Sequence, residues 1–270
     1  MSLRNTARAF PTLLRVGFAG AVAYRAEMFV WVLATTMPLV MLALWTAVAR
    51  EGAGGVIGRY GTSGFTAYFL GAFIVRQLTG CWAYYEMNFE IRQGTLGMRL
   101  LRPIHPLAAY AVENIAAVPM RLIVSLPAAI VALALLRPQA MTRDPVLWLL
   151  WVAAVFGAWT ITLLVNLAVG CSAFFIEQSL KLMDLWLVLY FVLSGYTIPV
   201  DLFSPRVRAV IDWLPFRYQL GLPVDIMTGA LGRGEAVALL ARQWGWVALA
   251  AGATAWLWRR GLTRFAAYGG

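Results

Sequence analysis

Residues 90–103 read EIRQGTLGMRLLRP, a polar and Arg-rich stretch that lies between two long apolar runs. Its position decides the fold, because each flanking run is long enough to cross a lipid bilayer and the chain must leave the membrane here. The rest of the sequence offers no chemistry that would use such a stretch. We therefore expect residues 90–103 to dock a soluble partner.

The composition is that of a membrane protein. The chain has 270 residues, of which 61% are hydrophobic and 13% charged, and its mean hydropathy is +0.74. Soluble domains carry roughly a quarter charged residues. Only helices and closed barrels satisfy their backbone in hydrocarbon, and the apolar runs here are continuous rather than alternating. The predicted fold class is an all-α integral membrane protein.

Six transmembrane helices are predicted. They cover residues 28–48, 65–85, 107–136, 146–176, 182–199 and 236–258. The third is longer than a bilayer requires, and it contains Pro119 and Pro127. Because proline removes a helix hydrogen bond, we expect kinks in this span.

Charge placement predicts the orientation. With both termini in the cytoplasm, the predicted inner segments hold more Arg and Lys residues than the outer ones, as the positive-inside rule requires. The net charge of +10 is then explained by anionic lipid at the cytoplasmic face. Nucleic acid is not an expected partner.

The N-terminal segment, residues 1–26, is predicted to be an amphipathic interfacial helix. Its apolar face is formed by Phe10, Leu13, Leu14, Gly17 and Phe18, and its basic face by Arg4, Arg8 and Arg15. Such a helix lies in the plane of the lipid head groups. The alternative is a disordered tail. Pro11 suits the first turn of a helix better than its middle, so a helix start at Pro11 is expected.

The helical pattern breaks at residues 199–235, between spans 5 and 6. Gly195 and Pro199 should end span 5, and Ser204 with Pro205 reads as the start of a short helix. One apolar face of that helix is formed by Val207, Val210, Ile211 and Leu214. Pro215 should end it.

A second short helix is expected over about 216–230. Two amphipathic helices beside a span favour a re-entrant hairpin that enters the outer leaflet. The alternative is an ordinary surface loop.

Four ionisable residues lie within predicted spans, where charged groups are functional candidates by default: Arg76, Glu113, Arg121 and Arg242. Arg76 and Glu113 have similar predicted depths, which favours an ion pair. Arg242 lies near an outer end, from which it can snorkel. Arg121 is the deepest and has no partner on its own helix, so one hypothesis is that it meets an anionic substrate.

The sequence lacks the residues that most catalytic chemistries need. The only lysine, Lys181, follows Ser179-Leu180, so no phosphate-binding G-x-x-x-x-G-K-[ST] loop is present. The only histidine, His105, has no neighbouring ligands for a metal site. Cys81 and Cys171 are expected to be free thiols. No catalytic residue, metal site or cofactor site is predicted.

Three features resemble the permease subunits of ABC-2 type ATP-binding-cassette exporters. The first is residues 90–96 (EIRQGTL) followed by 100–103 (LLRP), between spans 2 and 3. The second is residues 194–199 (SGYTIP) with the Leu214-Pro215 step between spans 5 and 6. The third is the amphipathic helix before span 1. Together these features cover essentially the whole chain.

The resemblance implies a single permease domain, residues 1–270, that exports an amphipathic or hydrophobic substrate such as a drug-like molecule, lipid or glycolipid. It implies a coupling loop at residues 86–106, with contacts to an ATPase from Glu90, Ile91, Arg92, Gly94, Thr95, Leu96 and Arg102. It implies an outer gate at Gly195, Pro199, Leu214 and Pro215. The implied location is the bacterial cytoplasmic (inner) membrane.

The partners implied by the resemblance are two ATPase subunits, which bind ATP and Mg²⁺, a second permease subunit, identical or homologous, and membrane lipid. The alternative is a non-ABC membrane protein, either a secondary transporter or a scaffold subunit. Secondary transporters commonly contain internal repeats with interrupted helices in matching positions, and no such repeat is visible in this sequence.

Overall fold

The computed structural model describes residues 3–23, 30, 33, 35–51, 55–135 and 141–265, and this part of the chain is almost wholly helical. Its first helices are α1 (Leu3–Ala23), α2 (Met37–Glu51), α3 (Thr62–Thr79), α4 (Ala83–Arg92), α5 (Leu96–Leu100), α6 (Pro106–Ala116) and α7 (Val118–Leu135). They are followed by α8 (Pro145–Ser172), α9 (Ser179–Leu193), α10 (Pro205–Ile211), α11 (Pro215–Gln219), α12 (Gly221–Met227) and α13 (Arg233–Leu262). The remaining elements are a 3-10 turn (Val200–Leu202) and an antiparallel pair of strands, β1 (Val56–Ile57) and β2 (Tyr60–Gly61).

Helix α8 is the central element. It has 28 residues and carries no charged side chain, and its start is fixed by Asp144, whose carboxylate accepts a hydrogen bond from the Val146 amide at 2.9 Å. It packs against α3, α4, α9, α11, α12 and α13. A helix that is apolar all round must be buried in protein or lipid, which suits a position at the centre of a bundle.

Each predicted span overlaps a helix, but the helices are unequal in length. Among the described residues, α8 and α13 are each long and apolar enough to cross a membrane, and α6 with α7 form a third such crossing if counted as one bent span. Helix α9 has only 15 residues, and part of the predicted span 28–48 lies outside the described residues. The number six therefore stays a prediction.

The third predicted span is kinked. It breaks at Ala117, and residues 106–123 and 125–131 are bent by 46° relative to each other. Pro127 explains the bend, because it cannot donate to the Ile123 carbonyl and its ring crowds that group. Pro119 lies in the first turn of α7, where proline is tolerated, so the break precedes it. The bend near Pro127 agrees with the prediction, whereas no kink is centred on Pro119.

The N-terminal segment is helical over residues 3–23, as predicted, and not a disordered tail, whereas its position in the head-group plane stays a prediction. The expected start at Pro11 is wrong, because α1 begins at Leu3 and contains Pro11. The helix packs on α6, where a Cβ at Gly17 would lie 2.8 Å from that of Ala116. Of the predicted apolar face, Phe10 and Phe18 stay exposed, whereas Leu13, Leu14 and Gly17 are half-buried.

The segment between α9 and α13 is not an ordinary surface loop. Every residue from 215 to 227 is buried, and α12 packs against α3 and α8. The expected single helix over 216–230 is wrong, because the chain breaks at Leu220 into α11 and α12.

The predicted apolar face of α10 is confirmed only in part. Ile211 is buried, whereas Val207 and Val210 are exposed on the protein surface. The side chains of Val207, Val210 and Ile211 therefore do not share one environment.

Gly195 ends α9 in a conformation that only glycine adopts easily. Its φ is +91°, and its carbonyl accepts a hydrogen bond from the Tyr68 hydroxyl at 2.9 Å. A Cβ at this position would lie 2.2 Å from the Tyr68 oxygen. The close approach fixes the turn after α9 against α3.

We expect Gly195→Ala to destabilise the protein by about 2 kcal/mol or more, because it adds backbone strain to a steric overlap. Tyr68→Phe removes the overlapping oxygen, so the double variant should be no less stable than Gly195→Ala alone. Thermal unfolding of the purified variants in neutral detergent measures this. Strictly additive losses would show that the two residues do not interact.

Candidate functional site

The polar stretch at residues 90–103 is divided by a glycine turn. Helix α4 ends at Arg92, Gly94 adopts a φ of +72°, and the five-residue helix α5 begins at Leu96. A left-handed glycine just beyond a helix end is the usual helix stop. The turn folds α5 back along α4, which brings Arg99 against both α4 and α6.

Arg99 is held by three carboxylates. Its Nε donates to Glu90 at 2.8 Å and its Nη1 to Glu113 at 2.8 Å, and its Nη2 pairs with Glu86. The guanidinium carbon also lies 4.3 Å from the ring centroid of Tyr110, whose hydroxyl donates to Glu90 at 2.6 Å. A planar fork of donors satisfied on every side fixes the orientation of the helix that carries it. We call these five residues the Arg99 cluster.

The Arg99 cluster carries an excess of negative charge, with one guanidinium facing three carboxylates. Burial, together with the neighbouring carboxylates of Glu113 and Glu90, raises the pKa of Glu86 from 4.5 to about 7 against the opposing effect of Arg99. The Glu86 side chain is 48% exposed, so water and salt screen part of this interaction.

The seven predicted coupling residues divide into two groups. Ile91 and Leu96 are buried in the core, with Leu96 fully covered, so the expectation that they contact a partner is wrong. Glu90 also faces inward, onto Arg99, and Gly94 makes the turn.

The other three predicted coupling residues face outward. Arg92, Thr95 and Arg102 are exposed. Arg92 also donates to the Ile176 carbonyl at 2.8 Å, which ties this loop to the turn between α8 and α9.

Two exposed apolar side chains complete the outer surface of α5. Met98 is 67% exposed and Leu101 is 82% exposed. The sequence reasoning missed both of them, together with Arg99 and Tyr110. The ion pairs of Arg99 could have been predicted in part, because Arg99 follows Glu86 and Glu90 closely in the sequence. We call Met98, Leu101, Arg92 and Arg102 the α5 surface.

The expected ion pair between Arg76 and Glu113 is wrong. Glu113 binds Arg99 instead, at 2.8 Å. Arg76 lies against Tyr190, with its guanidinium carbon 5.4 Å from the ring centroid. Arg242 is exposed on α13 and lies over Trp213 at 5.1 Å, which agrees with a snorkelling residue.

Arg121 is not open to a central pathway. It is 2% exposed, and its guanidinium donates to the carbonyl of Gly80 at 2.5 Å and that of Asn114 at 2.9 Å. The last carbonyls of a helix lack partners within the helix, and a cation there is also favoured by the helix dipole. Arg121 thus completes the ends of α3 and α6, and the hypothesis of a direct substrate contact is contradicted.

The four predicted gate residues lie in the packing around α11. Gly195, Pro199 and Pro215 are buried, and Leu214 is half-buried immediately before α11. In the protomer they support the turn after α9 rather than line an opening.

An ion network joins the hairpin to the β1–β2 turn. Asp201 pairs with Arg59 and with Arg208, the latter at 2.9 Å, and Asp225 contacts Arg217 at 3.2 Å. Arg217 also pairs with Asp212. Two of the arginines in residues 199–235, Arg208 and Arg217, are thus paired with aspartates of the same segment.

Comparison with known proteins identifies one family. The family model described as ABC-2 family transporter protein matches residues 32–269, which is most of the chain. No curated protein sequence matches this chain.

We expect Arg99→Gln to cost about 2 kcal/mol of folding stability, because it leaves the three carboxylates of the Arg99 cluster unpaired. The loss should be smaller at pH 5.5 than at pH 7.5. A carboxyl whose pKa is raised on folding binds its proton more tightly in the folded state, so stability falls as the pH rises from about 4.5 to about 7.

Thermal unfolding at the two pH values measures this effect. Arg102→Gln, an exposed arginine of the same loop, is the matched control and should change neither value. A loss in Arg99→Gln that is independent of pH would contradict the electrostatic account.

Proposed function

The chain belongs to the ABC-2 transporter family, and from that premise we propose that it is the permease subunit of an ATP-driven exporter. In this proposal it crosses the bacterial cytoplasmic membrane six times, with both termini in the cytoplasm. Its cargo is an amphipathic or hydrophobic molecule. ATP and Mg²⁺ are bound by two separate ATPase subunits, and a second permease subunit, identical or homologous, completes the pathway.

The Arg99 cluster carries the proposal. A segment that transmits force must be rigid towards its own protein and accessible towards its partner. Helix α5 combines both properties, because Arg99 is clamped to α4 and α6 while Met98 and Leu101 are exposed. Exposed apolar side chains rimmed by Arg92 and Arg102 have the anatomy of a protein-docking surface.

The path of the force follows from the contacts of the cluster. Movement of α5 pulls on Glu86 and Glu90 of α4 and on Glu113 of α6. Helix α4 packs on α8, and α6 continues into the bent helix α7. A displacement at the docking surface is thus delivered to two different spans.

The outer end of the pathway is proposed to lie at the hairpin, residues 199–235. Gly195 and Pro199 fix the turn after α9, and Leu214 with Pro215 begins the buried pair α11 and α12. Because these helices pack against α3 and α8, a movement of those spans reaches the hairpin directly. This supports the assignment of the four residues to an outer gate.

The remaining surface supports a membrane setting with a second permease subunit. Helix α9 exposes a continuous apolar face that contains Leu182, Leu185, Val188, Leu189 and Val192. Exposure of an apolar face of that size to water is unfavourable, so lipid or a second subunit is expected to cover it. Family membership also weighs against the alternative of a non-ABC transporter or scaffold.

We expect Leu101→Asp to weaken retention of a co-expressed ATPase subunit by about tenfold or more, because it places a charge at the centre of the α5 surface. Met98→Asp should act in the same direction. Val56→Asp changes an equally apolar, exposed residue in β1 and should have no effect. Co-purification and the ATPase rate of the complex are measured after thermal unfolding has shown that each variant is folded. Full retention of the ATPase by a folded Leu101→Asp variant would contradict the docking role.

A further inference from the structure

The last turns of α13 present an exposed surface that changes from apolar to basic. Four of its residues share one face of the helix, because residues three or four apart are neighbours: Leu249, Gly252, Trp256 and Arg260. Arg264 continues this face past the helix end, since Thr263 keeps a helical backbone. Leu249 is 62% exposed, Trp256 is 55% exposed, and both arginines are exposed as well. We call these five residues the α13 surface.

Protein covers little of helix α13. It is one of the helices long and apolar enough to cross a membrane, yet only 22% of its most apolar 18-residue stretch is buried. In a membrane-spanning chain, an uncovered apolar face of this kind meets lipid acyl chains. The arginines at its end then lie at the level of the lipid head groups, where tryptophan and arginine residues of spans are commonly found.

The turn between α8 and α9 brings a second element to the basic end of this surface. The guanidinium carbon of Arg264 lies 5.0 Å from the ring centroid of Phe175, a residue of that turn. The guanidinium carbon of Arg260 lies 5.1 Å from the ring centroid of Trp256. A guanidinium that rests on an aromatic ring is restricted in position, while its N–H groups remain able to donate to an anion.

The two arginines are positioned but not neutralised. Within the described ranges, no carboxylate lies within 4.0 Å of Arg260 or Arg264, in contrast to Arg99. Glu177, the acidic residue of the same turn, is exposed and forms no ion pair with either of them in this part of the chain. The turn is itself fixed, because Phe174 packs against Trp258 of α13 at 6.1 Å. Two guanidinium groups of defined position are thus available to a negatively charged ligand.

We propose that the α13 surface binds an anionic phospholipid whose head group carries two phosphates, one for each guanidinium. The two arginines rest on different rings, which suits two phosphates better than one. The acyl chains lie along Leu249 and Trp256, and Gly252 leaves space for them, since a Cβ there would contact nothing within 4 Å. Basic sites beside transmembrane helices bind cardiolipin head groups in this way.

The continuity of the surface favours a lipid over an acidic protein segment. The face that carries Arg260 continues through Trp256 and Leu249 into the apolar part of the span. A protein segment that followed it would have to bring its own polar groups into hydrocarbon, which is costly. A phospholipid instead supplies phosphates and acyl chains in the same order as the arginines and the apolar side chains.

A lipid bound here also supports the loop that carries the α5 surface. Ile176, the residue after Phe175, accepts a hydrogen bond from Arg92 at 2.8 Å. The lipid therefore holds α13 to the α8–α9 turn and, through Arg92, to the end of α4. Because the ligand binds the folded state, its binding is measurable as a rise in unfolding temperature.

The test is the double variant Arg260→Gln with Arg264→Gln, which keeps two polar side chains and removes both charges. Tetraoleoyl cardiolipin is titrated into the purified permease in neutral detergent, and the midpoint of thermal unfolding is followed. It should rise in the wild type, and the apparent affinity should fall by about tenfold or more in the double variant, because two charge-assisted contacts are lost. Arg143→Gln, an exposed arginine before the opposite end of α8, is the control and should bind as the wild type does.

Three further probes identify the chemistry of the ligand. Dioleoyl phosphatidylglycerol, with one phosphate, should bind more weakly than cardiolipin, and dioleoyl phosphatidylcholine should give no rise. Inorganic pyrophosphate, with two phosphates and no acyl chains, should give a smaller rise than cardiolipin. Undiminished cardiolipin binding in the double variant, or an equal effect of phosphatidylcholine or pyrophosphate, overturns the proposal.

A protein partner at this surface gives a different result. In that case the double variant would lose a co-expressed ATPase subunit in lipid-free detergent and would keep its affinity for cardiolipin, which contradicts the lipid site. The lipid titrations use the permease alone. A failure of ATPase docking at the α5 surface would therefore count against the proposed function and not against this site.

Discussion

The constraint on which this structure depends is that broken helices must have their free backbone groups satisfied inside the protein. Hydrocarbon offers no water to do so, and each unpaired group costs several kcal/mol. Long polar side chains meet this need at the breaks. Arg121 donates to the carbonyls of Gly80 and Asn114, and Tyr68 donates to that of Gly195. The bent span 3 and the turn after α9 exist because these side chains complete them.

The Arg99 cluster meets a different need, where α5 joins α4 and α6. There the chain needs a short helix that is rigid and still reachable from outside. Three carboxylates from two helices hold Arg99, so the five residues of α5 are fixed to α4 and α6 as one rigid unit. The same bonds that stabilise α5 give it a mechanical connection to α4 and α6. In the proposed complex with an ATPase, the bonds that stabilise α5 would be the same bonds that transmit its movement.

The sequence predicted the features that depend on local chemistry. Continuous apolar runs, the proline positions and the glycine at residue 94 each predict an element or its end, and helices occur at every predicted span.

Some errors are local, such as the helix start expected at Pro11 and the single helix expected over 216–230, and the others concern contacts between distant parts of the chain. Glu113 was matched to Arg76 on the basis of depth, but the fold of the loop brings Arg99 there first. Leu96 was counted with the docking residues because it lies in a polar stretch, whereas it is fully buried. Periodicity in a five-residue helix is too short to separate an inner from an outer face, so Met98 and Leu101 were also missed.

The central claim is that the α5 surface contacts an ATPase, and site-specific photo-cross-linking tests it most directly. A photoreactive amino acid at Leu101, activated in intact cells, should form a cross-linked product with a protein that mass spectrometry identifies by a phosphate-binding loop sequence. The same amino acid at Val56 should give no such product. Cross-links from Leu101 to lipid alone, or to the same proteins as from Val56, would contradict the account.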